Sequence, residues 1–212
     1  MWLSKKKKKE IEEEEVSTEE EIEKPSLVDL LGGATKGPEQ RSIMLVGELN
    51  EEKAGDLISA LLVLAQEKEE ADDRAEDIKL YISTYGGSAH EMLGIYDVMN
   101  FCKTFCDIET IGVGKVMSAG TLLLAAGTPG KRKLGKHCQV MIHSVNGGTI
   151  GELHSLENEM EQIKNLQDIY IQCLSSETSM TKRQIQALIN KKVNVYLSAN
   201  EAIEKGLADG VL

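Results

Sequence analysis

Ile78-Lys79-Leu80-Tyr81-Ile82-Ser83, running directly into Thr84-Tyr85-Gly86-Gly87-Ser88, is the stretch on which the reading of this chain turns. The first six residues alternate in character and carry β-branched and aromatic side chains, as a half-buried strand requires. Paired glycines then break the strand. A helix follows on which Met92, Ile95, Tyr96 and Met99 share one stripe. Working outward, the same alternation repeats on both sides. Upstream, Ile43 and Leu45 mark a strand, and residues 51–68 a helix with apolar Leu57, Ile58, Leu61, Leu62 and Leu64. Downstream, residues 108–113 form a strand that runs into Lys115-Val116-Met117-Ser118-Ala119-Gly120, with a small-residue helix to about Ala126. Strand and helix in steady succession predict an α/β fold with right-handed crossovers.

The rest of the chain adds shorter pieces. Residues 131–136 read as a basic turn, and Val140-Met141-Ile142-His143 as a short strand. Residues 151–175 form one long helical pattern, with Leu153, Leu156, Met160, Ile163, Tyr170 and Leu174 at three- and four-residue steps. That stripe is longer than a crossover needs and suits an arm packed on another subunit, although a plain surface helix over the core has the same period. Tyr196-Leu197-Ser198-Ala199-Asn200-Glu201-Ala202 reads as a strand entering a capped helix.

Bulk properties narrow the class. The 212 residues suffice for one ordinary domain, and 41% apolar with 28% charged residues is a globular composition. Aromatics are only 4%, so the core must be aliphatic. A net charge of −11 argues against a nucleic-acid partner, which needs a basic face, and otherwise serves solubility. No apolar run approaches the ~18 residues that span a bilayer, so no membrane association is expected. The lysines at 5–9 have no apolar stretch behind them, so no secretory signal is read. The four cysteines (Cys102, Cys106, Cys138, Cys173) form no C-x-x-C pair, which predicts reduced thiols in a cytoplasmic setting rather than a zinc site. Five lysines followed by nine glutamates between Glu10 and Glu23 predict a disordered tail. With the Gly-rich stretch at 32–38, the tail and linker occupy residues 1–40 and the folded domain 41–212.

Three positions carry chemistry. Ser118 stands at a strand-to-helix corner, where a serine either caps the helix or presents its hydroxyl free of the sheet. Gly86-Gly87 allows close backbone approach and exposes N–H groups, a common turn that in acyl transfer can hold an oxyanion. His143 ends an apolar strand and is either a structural residue or a base. Together they supply oxyanion donors, nucleophile and base.

As a set and in this order, these segments resemble the proteolytic subunit of the Clp ATP-dependent protease. The carrying pieces are Leu80-Tyr81-Ile82-Ser83 with Gly86-Gly87, Gly94-Ile95-Tyr96-Asp97-Val98-Met99, Met117-Ser118-Ala119-Gly120, Val140-Met141-Ile142-His143, and Tyr196 to Ala202 with Gly206-Leu207. The resemblance spans about 170 of the 212 residues. It implies a crotonase-like superhelix of βαβ units with a protruding handle helix, Ser118 as nucleophile and His143 as base. The N–H groups of Gly87 and Ala119 would form the oxyanion hole. It further implies a homo-oligomer of two stacked seven-membered rings, an AAA+ unfoldase partner, polypeptide substrates, and no cofactor or metal of its own. No phosphate-binding loop is visible in the sequence.

The chain departs from the family pattern in three places. The family's third triad member, an aspartate, is here Asn194. Its amide oxygen can orient an imidazole but cannot offset the charge of imidazolium. The family's proline before the glycine pair is here Tyr85, and the charged tail either replaces or precedes the family's pore-gating segment. Three other readings fit the sequence: a catalytically weakened ring subunit with a structural or regulatory role, an acyl-CoA enzyme of the crotonase type, and a viral assembly-maturation protease of the same fold.

Overall fold

In the computed structural model, residues 41–66, 74–148, 150–191 and 193–212 are described, and the predicted tail at 1–40 lies outside them. Strands are β1 (Ser42–Leu49), β2 (Ile78–Gly87), β3 (Ile108–Met117), β4 (Arg132–Leu134), β5 (Gln139–Ile142), β6 (Val195–Leu197) and β7 (Gly210–Val211). Helices are α1 (Glu51–Gln66), α2 (Ala89–Cys102), α3 (Ala119–Ala125), α4 (Leu153–Glu177), α5 (Lys182–Ile189) and α6 (Ala199–Glu204).

β2 shows why the fold forms. Its inward row is Ile78, Leu80, Ile82 and Thr84, every one fully buried, while the alternate residues are not. β1 and β3 flank β2 in parallel, with Leu45 opposite Ile82 and Ile78 opposite Ile108. Parallel strands require crossover connections, and α1 and α2 supply them, burying Leu57, Leu61, Met92, Ile95 and Met99 in the common core. The sheet runs β1-β2-β3-β4-β7, and β5 branches from it.

β3 is where the sheet forks. Its first half, Thr110 to Gly112, pairs with β4, and its second half, Lys115 to Met117, pairs with β5. Between the two lies Gly114 at φ 68°, a left-handed backbone that turns the strand from one partner to the other. β6 then closes antiparallel on β5.

Two local readings of the sequence need correction or extension. The basic segment 131–136 is not merely a turn, since β4 lies within it. Arg132 is buried there, held by Asp209 and by the carbonyls of Ala125 and Glu177. Its charge hid a strand because the pairing carboxylate is 77 residues away in sequence. The long helix is present as α4, but its stripe is used in two ways. Tyr170 and Leu174 are buried, whereas Leu153 and Met160 stay 66% and 53% exposed. The first turns of α4 therefore do not lie over this chain's core.

Candidate active site

Three parallel strands end together. β2 finishes at Gly87, β3 at Met117 and β5 at Ile142, and the pair Met117–Met141 sets the last two in register. Ligand sites in such sheets lie beyond the carboxyl ends of the strands, and this one follows the rule. A cleft of about 340 Å³ opens there, lined by Tyr85, Gly87, Met92, Ser118, Ala119, His143 and Tyr170 among others.

Ser118 is the only non-glycine residue with positive φ among those described, at φ 55° and ψ −120°. Such a conformation costs of order 1–3 kcal/mol and persists only where the surroundings over-determine it. Here they do. The Ser118 N–H donates to the Met141 carbonyl at 2.8 Å, and the Thr121 hydroxyl donates to the same carbonyl at 3.0 Å. The Ser118 carbonyl accepts from the Thr121 N–H at 2.9 Å and from the Tyr170 hydroxyl at 3.4 Å. The Ser118 side chain makes no capping bond to α3, so the corner presents the hydroxyl rather than spending it on the helix.

That hydroxyl meets His143. Nε2 of the imidazole lies 2.7 Å from Ser118 Oγ, across 25 residues of sequence. Burial lowers the pKa of His143 below its ordinary value, which favours the neutral ring that can accept a proton. Among the described residues nothing bonds the other ring nitrogen. Asn194 is exposed and makes no hydrogen bond with the imidazole. The last β5–β6 pair is Ile142 with Val195, and His143 and Asn194 are the next residues beyond it on the two strands.

The glycine pair closes the other wall. A Cβ on Gly86 would sit 2.6 Å from Ser118 Cβ, and one on Gly87 would sit 2.0 Å from the Leu49 carbonyl oxygen. With φ of 104° and 154°, both positions demand glycine. Ala119, the first residue of α3, lines the same cleft, and the N–H groups of a helix's first turn have no intrahelical acceptor. Tyr85 is 68% exposed, with the Lys115 ammonium 4.6 Å from its ring centre.

The sequence profile of the family described as Clp protease matches residues 35–212. The chain belongs to the Clp protease family. Among relatives, the chain is 33% identical over 173 residues to the ATP-dependent Clp protease proteolytic subunit of Borreliella afzelii, covering 82% of this chain and 83% of that one. It is 32% identical, again over 173 residues, to ATP-dependent Clp protease proteolytic subunit 1 of Borreliella burgdorferi, covering 82% and 84%. As a Clp protease family member the chain is a hydrolase of the peptidase class with the α/β fold of Clp peptidases. No described helix is long and apolar enough to cross a membrane.

Two further residues brace this Clp peptidase site. The period of the helical stripe accounts for the burial of Tyr170, which is 3% exposed, but not for its hydroxyl, which bonds the Ser118 carbonyl. Thr84, by sequence part of the turn segment, bonds the Gly86 N–H behind the cleft wall. A hydroxyl two residues before a glycine, at the inward end of an aliphatic row, is the signal that could have found it.

Proposed function

We propose that this protein is a serine endopeptidase, the peptidase subunit of a self-compartmentalising, ATP-dependent protease. Ser118 Oγ attacks the substrate carbonyl carbon while His143 Nε2 takes the hydroxyl proton. The resulting oxyanion is held by the N–H groups of Gly87 and Ala119, donors of a kind worth about 10²–10³ in kcat each. The tetrahedral species collapses to the Ser118 ester, and His143 returns the proton to the departing amine. Water then attacks the ester carbon while His143 takes its proton, and His143 passes that proton to Ser118 Oγ as the acid product leaves. Asn194 stands in for the usual aspartate, with its amide oxygen as the acceptor for the second imidazole nitrogen.

The observation that carries this reading is the 2.7 Å contact between His143 Nε2 and Ser118 Oγ at the end of three converging strands. The exposed apolar residues Leu153 and Met160 on the first turns of α4 support homo-oligomeric assembly, since an isolated subunit would leave them in water. With assembly come stacked heptameric rings, an AAA+ unfoldase partner, unfolded polypeptide substrates and a cytoplasmic setting.

Fluorophosphonate labelling of the full chain tests the chemistry. Labelling of the wild type that is lost in Ser118→Ala and reduced at least 100-fold in His143→Ala is the expected result. A wild type that stays unlabelled would favour a second reading, a ring subunit with a weakened triad. Among the described residues the second ring nitrogen of His143 has no hydrogen-bond partner, which supports that alternative.

A further inference from the structure

Thr84 ends the inward row of β2, after three aliphatic residues, with no exposed surface at all. A buried hydroxyl in such a row must be hydrogen-bonded, and its partners are informative. Thr84 Oγ1 donates to the Gly47 carbonyl at 2.5 Å and accepts from the Gly86 N–H at 2.9 Å. Both partners fall in an irregular part of the ladder. The pairing of β1 with β2 jumps from Val46–Ser83 to Glu48–Gly86, which leaves Gly47, Thr84 and Tyr85 outside the register. Gly47 itself is at φ 84°. One side-chain oxygen therefore ties the carbonyl of Gly47, which the β1–β2 register skips, to the N–H of Gly86, where that register resumes, immediately before the glycine turn.

The methyl of the same residue faces the nucleophile's helix. A Cβ on Gly120 would lie 2.5 Å from Thr84 Cγ2, so the methyl packs against the first turn of α3, next to Ser118 and Ala119. Thr84 thus touches both backbone segments that would bind the oxyanion, without reaching the cleft.

We propose that Thr84 is a positioning residue for the oxyanion-binding turn: its hydroxyl, bridging the break in the β1–β2 register, sets the orientation in which Gly86-Gly87 faces Ser118. The proposal rests on the reading of Ser118 as nucleophile and Gly87 as donor. Thr84→Val keeps the shape and the methyl but leaves the Gly47 carbonyl and Gly86 N–H without their partner, and the turn relaxes to find others. Misplacement of a catalytic group by about 1 Å can cost on the order of 10²-fold. Because the oxyanion exists only in the transition state, the loss belongs in kcat rather than KM.

The experiment compares peptide hydrolysis by full-length wild type, Thr84→Val and Thr84→Ser. A peptide boronate, which forms a tetrahedral adduct on the serine, and the corresponding uncleavable peptide serve as binding probes. The expected result is a kcat roughly 10- to 100-fold lower in Thr84→Val, with KM and peptide affinity within about 2-fold of wild type. Boronate affinity falls in parallel with kcat, and Thr84→Ser, which keeps the hydroxyl, stays within about 3-fold of wild type. Should Thr84→Val fail to fold, Thr84→Ala against Thr84→Ser makes the same comparison. Equal losses in the serine and hydroxyl-free variants, or an unchanged boronate affinity, overturn the role. A wild type with no Ser118-dependent adduct overturns the active-site reading, and this proposal with it.

Discussion

Replacing Arg132 by Met tests the strongest tie in the fold. The guanidinium is almost wholly buried and makes four hydrogen bonds: Nε and an Nη to the two Asp209 oxygens at 2.9 and 2.5 Å, and the other Nη to the carbonyls of Ala125 and Glu177 at 3.2 and 2.6 Å. It joins the end of α3, the base of α4 and the C-terminal segment. Removing one partner of a buried ion pair costs about 3–5 kcal/mol, mainly through the charge left behind. Asp209 retains part of its exposure and still accepts the Gly130 and Arg132 N–H groups, so the low end applies, about 3 kcal/mol. For a domain of this size that is roughly 6–12 °C in Tm. Asp209→Asn keeps the shape but leaves the more buried Arg132 charge without its counter-ion and sets an amide NH2 against N–H donors, so it should cost at least as much, about 3–5 kcal/mol. The Arg132 hydrogen bonds hold the Asp209 carboxyl below its ordinary pKa. A depressed carboxylate pKa stabilises the folded state above the unfolded value and loses that contribution as pH falls through the folded one. The gap between wild type and Asp209→Asn should therefore shrink on acidification below about pH 4. Urea unfolding followed by circular dichroism at matched protein concentration, with amide exchange at Gly210 and Val211, provides the readout. A cost under 1 kcal/mol for Arg132→Met, or unchanged exchange in β7, would refute the reasoning.

Other measurements bear on the site. Burial depresses the His143 pKa, and the base works when neutral, so fluorophosphonate labelling should persist as pH falls through 6.5, the ordinary histidine value. An acid limb centred above pH 7 would contradict this. Asn194→Asp puts a carboxylate just beyond the last β5–β6 pair, where His143 also lies, and should raise kcat at least several-fold, checked by steady-state peptide hydrolysis. A tenfold loss would mean that the amide is fitted to this site. Tyr170→Phe removes the hydroxyl that bonds the Ser118 carbonyl at 3.4 Å while keeping the ring in the cleft wall. At that length the bond is weak, so labelling should slow by no more than about 5-fold and Tm fall by about 1–3 °C. A loss comparable to His143→Ala would show that Tyr170 acts in the chemistry itself.

By itself the sequence determined the elements whose signal is local. The alternation in β2, the glycine pair, the apolar stripe of α2 and the capping box that opens α6 each depend on neighbours a few residues apart, and each could be read directly. The order of Gly87, Ser118 and His143 along the chain was equally legible. Tertiary structure alone decided what these residues do to one another. Gly86 presses on Ser118, His143 reaches its hydroxyl, Arg132 is buried against Asp209, and Thr84 bridges a bulge that pairing leaves open. Those relations join residues tens of positions apart, and they depend on strand register and on a forked β3. Periodicity reports which face of an element is buried, but it carries no record of which distant partner waits there.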